Sequence, residues 1–152
     1  LWCGLPALIV FALWATLQAV PLVADGAMGD RLAAGRRAAL VVYDGLERSH
    51  AFRPLLRPET DIVCFAPRLP DAAPAASAIS AAVEAVFERC ANADAPLYLA
   101  KFRASRAIVE AWWPDVVWDA PEVTLLRSVL MKPEHEGWVP TWIERVERGA
   151  TV

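Results

Sequence analysis

Titratable side chains gather at two places in this sequence: Glu134, His135 and Glu136 inside PEHEGW (133–138), and Asp44, Glu47, Ser49 and His50 after the apolar run AALVVYDG (38–45). A metal ion needs ligands that converge on one point. Three consecutive residues in regular structure diverge, and the only other histidine is His50, so the sequence offers no metal site. In open α/β sheets ligands bind beyond the carboxyl ends of strands, which makes Asp44 and His50 candidate ligand-binding residues if 38–43 is a strand. They are not read as catalytic. Ser49 and His50 are sequence neighbours, and adjacent residues do not set a base on a nucleophile in triad geometry. Of the seven tryptophans, Trp112, Trp113, Trp118, Trp138 and Trp142 fall in the last third. Such rings fill a core, rest at a lipid interface or form a platform for a sugar; Trp112 and Trp138 are the candidates for the last role.

Other chemistry is missing from the pattern. No Gly-x-Gly-x-x-Gly or P-loop follows any apolar run, so no nucleotide fingerprint is present and no cofactor is expected. Cys3, Cys64 and Cys90 match no zinc or redox spacing, and the residues leave open whether Cys64 and Cys90 are free or paired. A net charge of −3 carries no basic footprint, which excludes nucleic acid as a partner.

The chain opens with 24 uncharged residues, Leu1 to Ala24, although its overall hydrophobic share is 57%. At about 1.5 Å per residue a helix of that length reaches about 36 Å, enough to cross a hydrocarbon core of about 30 Å. A secretory signal would need a basic n-region and small residues at the cleavage site, and neither is present. The reading is a transmembrane helix over 1–24, a linker over 25–37 and a soluble α/β domain over 38–152. Arg31, Arg36 and Arg37 count toward a cytoplasmic placement under the positive-inside rule, yet long domains cross largely regardless of charge, so the residues leave orientation open.

Within the domain, AALVVYDG (38–45), DIVCFAP (61–67) and PLYLAKF (96–102) read as buried strands stopped by Asp-Gly or proline. Glu47 to Arg57 is a short helix limited by Pro54, with Phe52, Leu55 and Leu56 inward. Ile79, Val83, Val86, Phe87 and Cys90 recur at helical spacing and predict an amphipathic helix over 75–91. Ser105 can cap a helix through Trp113. Strands alternating with helices predict a mainly parallel sheet, with 38–43, 62–66 and 97–102 as neighbours. Val116–Trp118, Glu122–Met131 and Trp138–Val146 follow as an antiparallel edge.

A terminal apolar span, a charged link, a strand ending in Asp-Gly, a helix, a second strand, a long helix and a tyrosine-containing strand: this layout resembles the C-terminal part of bacterial polytopic membrane glycosyltransferases of the dolichyl-phosphate-mannose and aminoarabinose type. The residues that carry it are Leu1–Ala24 and the runs at 38–45, 61–67 and 96–102. The resemblance implies the inner (cytoplasmic) membrane, a periplasmic soluble domain, and a structural or substrate-recognition role. The domain would be non-catalytic by itself, since the catalytic carboxylate of such enzymes lies on an earlier loop. The implied partners are membrane lipid, a lipid-linked sugar and the remaining transmembrane part of the same protein. The alternative from another class is a single-span membrane-anchored α/β module that binds a protein partner.

Overall fold

The computed structural model describes residues 4–150. Its first helix, α1 (Gly4–Ala19), corrects the membrane span. Sixteen residues at about 1.5 Å each give about 24 Å, short of a hydrocarbon core of about 30 Å. The helix stops because Pro21 has no donor and disfavours helical backbone at Val20. The chain then turns through Val23 N–H to Pro21 O (3.0 Å) and Gly26 N–H to Val23 O (3.2 Å). Among the described residues no helix is long and apolar enough to cross a membrane. The anchored, inner-membrane placement with a periplasmic domain therefore loses the element on which it rested. Leu1–Cys3 of the expected span lie outside the described residues. The described side chains of α1 face outward: Leu8, Ile9, Val10, Phe11, Leu13 and Trp14 keep 56–67% of their surface exposed.

The expected linker and first strand are one helix, α2 (Ala27–Arg48). Ala34, Gly35, Ala38, Ala39, Val42 and Leu46 are buried while Val41 is exposed, a spacing of three and four that belongs to a helix and not to a pleated strand. Asp44 and Gly45 thus sit inside a helix, not at a strand end. Then follow β1 (Phe52–Pro54) in place of the expected short helix, β2 (Ile62–Pro67), α3 (Ala76–Asn92), β3 (Ala100–Ser105), the one-turn α4 (Arg106–Val109), β4 (Glu122–Val129) and α5 (His135–Ala150). The expected strand at 138–146 is also helix: Val139, Trp142, Val146 and Gly149 are its buried residues, again three or four apart.

The sheet is antiparallel throughout, in the order β1-β2-β4-β3, which corrects the mainly parallel reading. That reading needed a strand at 38–43 to begin the alternation of strand and helix; with that run helical, the long strand β4 takes the centre. β2 and β3 each pair with β4 and not with one another. Among the described residues the one parallel contact is an isolated bridge, Ala75 to Val117.

Helices α2 and α3 pack on the sheet, and α5 packs against both. Trp142 of α5 meets Phe65 edge-on at 5.6 Å between ring centroids, and Phe65 meets Phe52 at 5.5 Å, so one aromatic chain runs from helix layer to sheet. Side chains alternate along β1. Phe52 joins this core, whereas Arg53 points to the other side, where Trp113 and Asp115 from the segment after α4 cover it.

Candidate functional site

Strand β4 outruns β3. Their pairing ends at Ala100 opposite Arg127, while on its other edge β4 continues to Val129 opposite Ile62. The chain before β3 is drawn away instead: Leu97 N–H bonds Cys90 O at 2.9 Å, and Arg145 Nη1 donates to Pro96 O at 3.1 Å. A cleft of about 370 Å³ opens between 96–100 and the end of β4, with Trp138, Trp142 and His135 of α5 in its wall. Small-molecule sites begin at about 300 Å³ and combine an apolar lining with a few placed polar groups.

The polar groups of this cleft are uncommitted. Arg127 Nε and His135 Nδ1 are both buried and lack a hydrogen-bond partner. Ser128 is the buried polar residue of the described chain, and its hydroxyl bonds nothing among the described residues. Buried polar atoms are nearly always paired, so these two stand out: His135 Nδ1 beside the cleft, and Arg127 Nε on the sheet face that Arg127 shares with Cys64, away from Ser128 and α5. No acidic side chain lines it. Trp138 is half-buried, with the Arg145 guanidinium 5.6 Å from its ring centroid and the His135 ring at 6.2 Å. His135 and Trp138 also border an open hollow of about 540 Å³ with Lys132 and Glu134.

A second, smaller cleft of about 160 Å³ shows the opposite condition. There Arg53 makes a two-pronged contact to Asp115 at 2.7 and 2.6 Å and lies 4.7 Å over the Trp113 ring, whose Nε1–H donates to Pro54 O at 3.2 Å. The Arg53 hydrogen bonds hold the Asp115 carboxyl below the usual carboxylate range, against the opposing effect of burial. Every charged group in that trio is matched, as a strut requires.

The four residues singled out in the sequence do not meet. Asp44 pairs with Arg57 at 3.1 Å on the helix surface. His50 is exposed after the end of α2. Its neighbour Ser49 is engaged elsewhere, donating to Glu147 Oε1 at 3.2 Å and accepting from Ala51 N–H at 3.1 Å. Trp112 is exposed beyond α4, and only Trp138 lines the cleft. Glu134, His135 and Glu136 diverge: Glu136 takes a two-pronged contact from Arg37 at 2.8 and 3.0 Å, while His135 turns to the cleft. Among the described residues no three His, Cys, Asp or Glu side chains gather to hold a metal. Cys64 and Cys90 are free thiols whose pKa values burial pushes up, with Arg127 and Arg89 respectively opposing, so neither is primed as a thiolate.

Arg127, Ser128 and Trp142 escaped the sequence reading. One signal was present for Arg127: it interrupts TLLRSVL, an otherwise apolar run in what becomes the central strand. An arginine there is seldom placed without a purpose, because long charged side chains are rarely buried unless matched.

The fold and cleft define a helix-backed antiparallel α/β module with an open recess at one sheet edge. No family model and no curated protein matches the chain. Among solved structures it is similar to the glutamate decarboxylase domain of diaminobutyrate-pyruvate transaminase and L-2,4-diaminobutyrate decarboxylase from Vibrio parahaemolyticus, at 16% identity and a TM-score of 0.52. That likeness covers 80% of this chain and 22% of the other, so the chain spans about a fifth of that protein's length. At this identity it is a likeness of fold, and it lends no support to a glycosyltransferase.

Proposed function

We propose that this chain is a non-catalytic recognition module that binds a small ligand in the cleft between the β3–β4 edge and the first turns of α5. The carrying observation is an aromatic-walled recess lined by Trp138, Trp142, Ser128 and His135, whose buried Nδ1 has no hydrogen-bond partner. A packed core would not retain unmatched buried donors and acceptors, since each costs about 1–3 kcal/mol. Nothing in the recess pairs a nucleophile with a base, because Cys64 and Cys90 lie outside its lining and Ser128 hydrogen-bonds no imidazole. The decarboxylase chemistry in the name of the similar structure is not carried over, because the likeness is one of fold. The lipid-linked sugar implied by the sequence layout enters as one ligand class to test, with Trp138 as its stacking surface.

The test is saturation-transfer NMR on the full chain with a panel of monosaccharides, aromatic acids and aromatic alcohols, repeated with Trp138→Ala. The expected result is that one class receives saturation from the wild-type chain and loses it in the variant, whose fold is checked by circular dichroism. If no class responds, or the variant responds as the wild type does, the cleft is not a recognition site.

A further inference from the structure

We infer that the helix α1 is a docking surface for a second copy of this chain, two chains associating about a two-fold axis with their α1 helices side by side and antiparallel. No other described element packs closely against α1. Its large apolar side chains from Leu8 to Leu17 keep 40–67% of their surface in solvent, and the turn that follows adds Leu22 and Val23. By side-chain size they expose roughly 1,000 Å² of apolar surface, where a monomer ordinarily shows a few hundred Å² in one patch. Burying half of it on each of two copies removes roughly 1,000 Å² in total, about the area a specific interface requires.

Charge decides what can lie against this helix. From Gly4 to Ala24 there is no titratable side chain, so two identical helices meet without like-charge repulsion and neither loses a hydrated charge. A charged partner surface would give up its hydration to α1 and receive no counter-charge in return. The matching uncharged apolar surface is another α1.

Spacing fixes the side that pairs. Val10, Leu13 and Leu17 follow one another at intervals of three and four and form one bulky seam. The opposite row, Leu8, Ala12, Ala15 and Ala19, is mostly small and leaves less apolar surface when open. Phe11 and Trp14 lie between the two rows, with ring centroids 5.7 Å apart. With the seam inward and the helices antiparallel, the two Leu13 side chains meet at the axis and Val10 of one copy lies against Leu17 of the other. The antiparallel sense also opposes the two helix dipoles and sets the two domains at opposite ends. It carries the start of each α1 toward the other copy's turn, where Leu22 and Val23 continue the exposed apolar surface.

The test is sedimentation velocity of the full chain over a wide range of concentration, in wild type, Leu13→Glu, Leu13→Ala and Gln18→Glu, with circular dichroism of each. Wild type should pass from monomer to dimer as concentration rises and stop there. Leu13→Glu, which sets two carboxylates against each other at the axis, should stay monomeric, while Gln18→Glu, the same charge placed off the seam, should dimerise as wild type does. Leu13→Ala, whose new residue favours helix, should raise the dimer dissociation constant at least tenfold, and it decides the matter should Leu13→Glu unwind α1. A wild-type chain that is monomeric throughout overturns the inference, as does a dimer indifferent to both Leu13 substitutions or one lost equally in Gln18→Glu. Assemblies that grow without limit overturn the two-fold pair. Monomers that instead float with neutral phosphatidylcholine vesicles make lipid the occupant of α1 and overturn it too.

Discussion

Gly149 and Cys90 show how tightly single residues are fitted where α5 crosses α3. A Cβ built on Gly149 would run into the Cys90 sulfur, so the glycine is there for close approach. Gly149→Ala should cost about 1–3 kcal/mol in urea unfolding, as overpacking of a well-filled core does, and adding Cys90→Ala should recover part of that loss. Removing an aromatic from the core has the opposite defect: Phe65→Ala, which leaves Phe52 and Trp142 without their shared neighbour, should cost about 3–5 kcal/mol. A third expectation concerns Asp115. Its carboxyl is held below the ordinary value by Arg53, so its share of stability is full above the unfolded-state pKa of about 3.9 and is lost as pH falls through the lower folded value. Asp115→Asn should therefore be less stable than wild type at neutral pH, and the gap between the two thermal midpoints should close as the buffer is taken below about pH 4.

Two elements, α2 and α5, carry most of the disagreement between sequence and structure. AALVVY is rich in β-branched and aromatic residues and ends in Asp-Gly, a pattern that suits a buried strand as well as a helix segment. The deciding signal lay upstream, where Ala34 and Gly35 extend the spacing of Ala38, Ala39, Val42 and Leu46 into six buried positions of one helix. Read from 38 onward, that face is cut in half. In α5, Pro140 and the β-branched Val139, Thr141 and Ile143 argue locally for extended chain, yet burial of Val139, Trp142 and Val146 against the core outweighs their weak helix propensity. β2, β4 and α3 were legible because short strands bounded by proline or acidic turns, and one long amphipathic stretch, carry their period within a single window. The cleft was not legible, since it exists only because β4 runs past β3, a matter of register between segments distant in the chain. The helix at 27–48 is open to a direct check: Val41→Lys should change the unfolding free energy in urea by no more than about 0.5 kcal/mol, whereas Val42→Lys, which would bury an unmatched ammonium, should abolish cooperative unfolding.

At the scale of the whole molecule, α1 stands apart from the sheet and its helices. Its described apolar side chains are exposed, and apolar surface left in water costs about 25 cal/mol per Å². A chain shortened to Asp25–Val152 should keep the thermal midpoint of the full chain within a few degrees and stay in solution at higher concentration. A large fall in the midpoint would show that α1 braces the domain. Recognition by the cleft is the central claim, and the seven tryptophans allow it to be read residue by residue. With 5-fluorotryptophan incorporated and each resonance assigned by Trp→Phe substitution, fluorine NMR of the full chain during titration with the monosaccharide, aromatic-acid and aromatic-alcohol panel reports every ring at once. The account predicts that the Trp138 and Trp142 resonances shift and saturate together while Trp112, Trp113 and Trp118 stay in place. Shifts centred on Trp113, or spread evenly over all the rings, would contradict it.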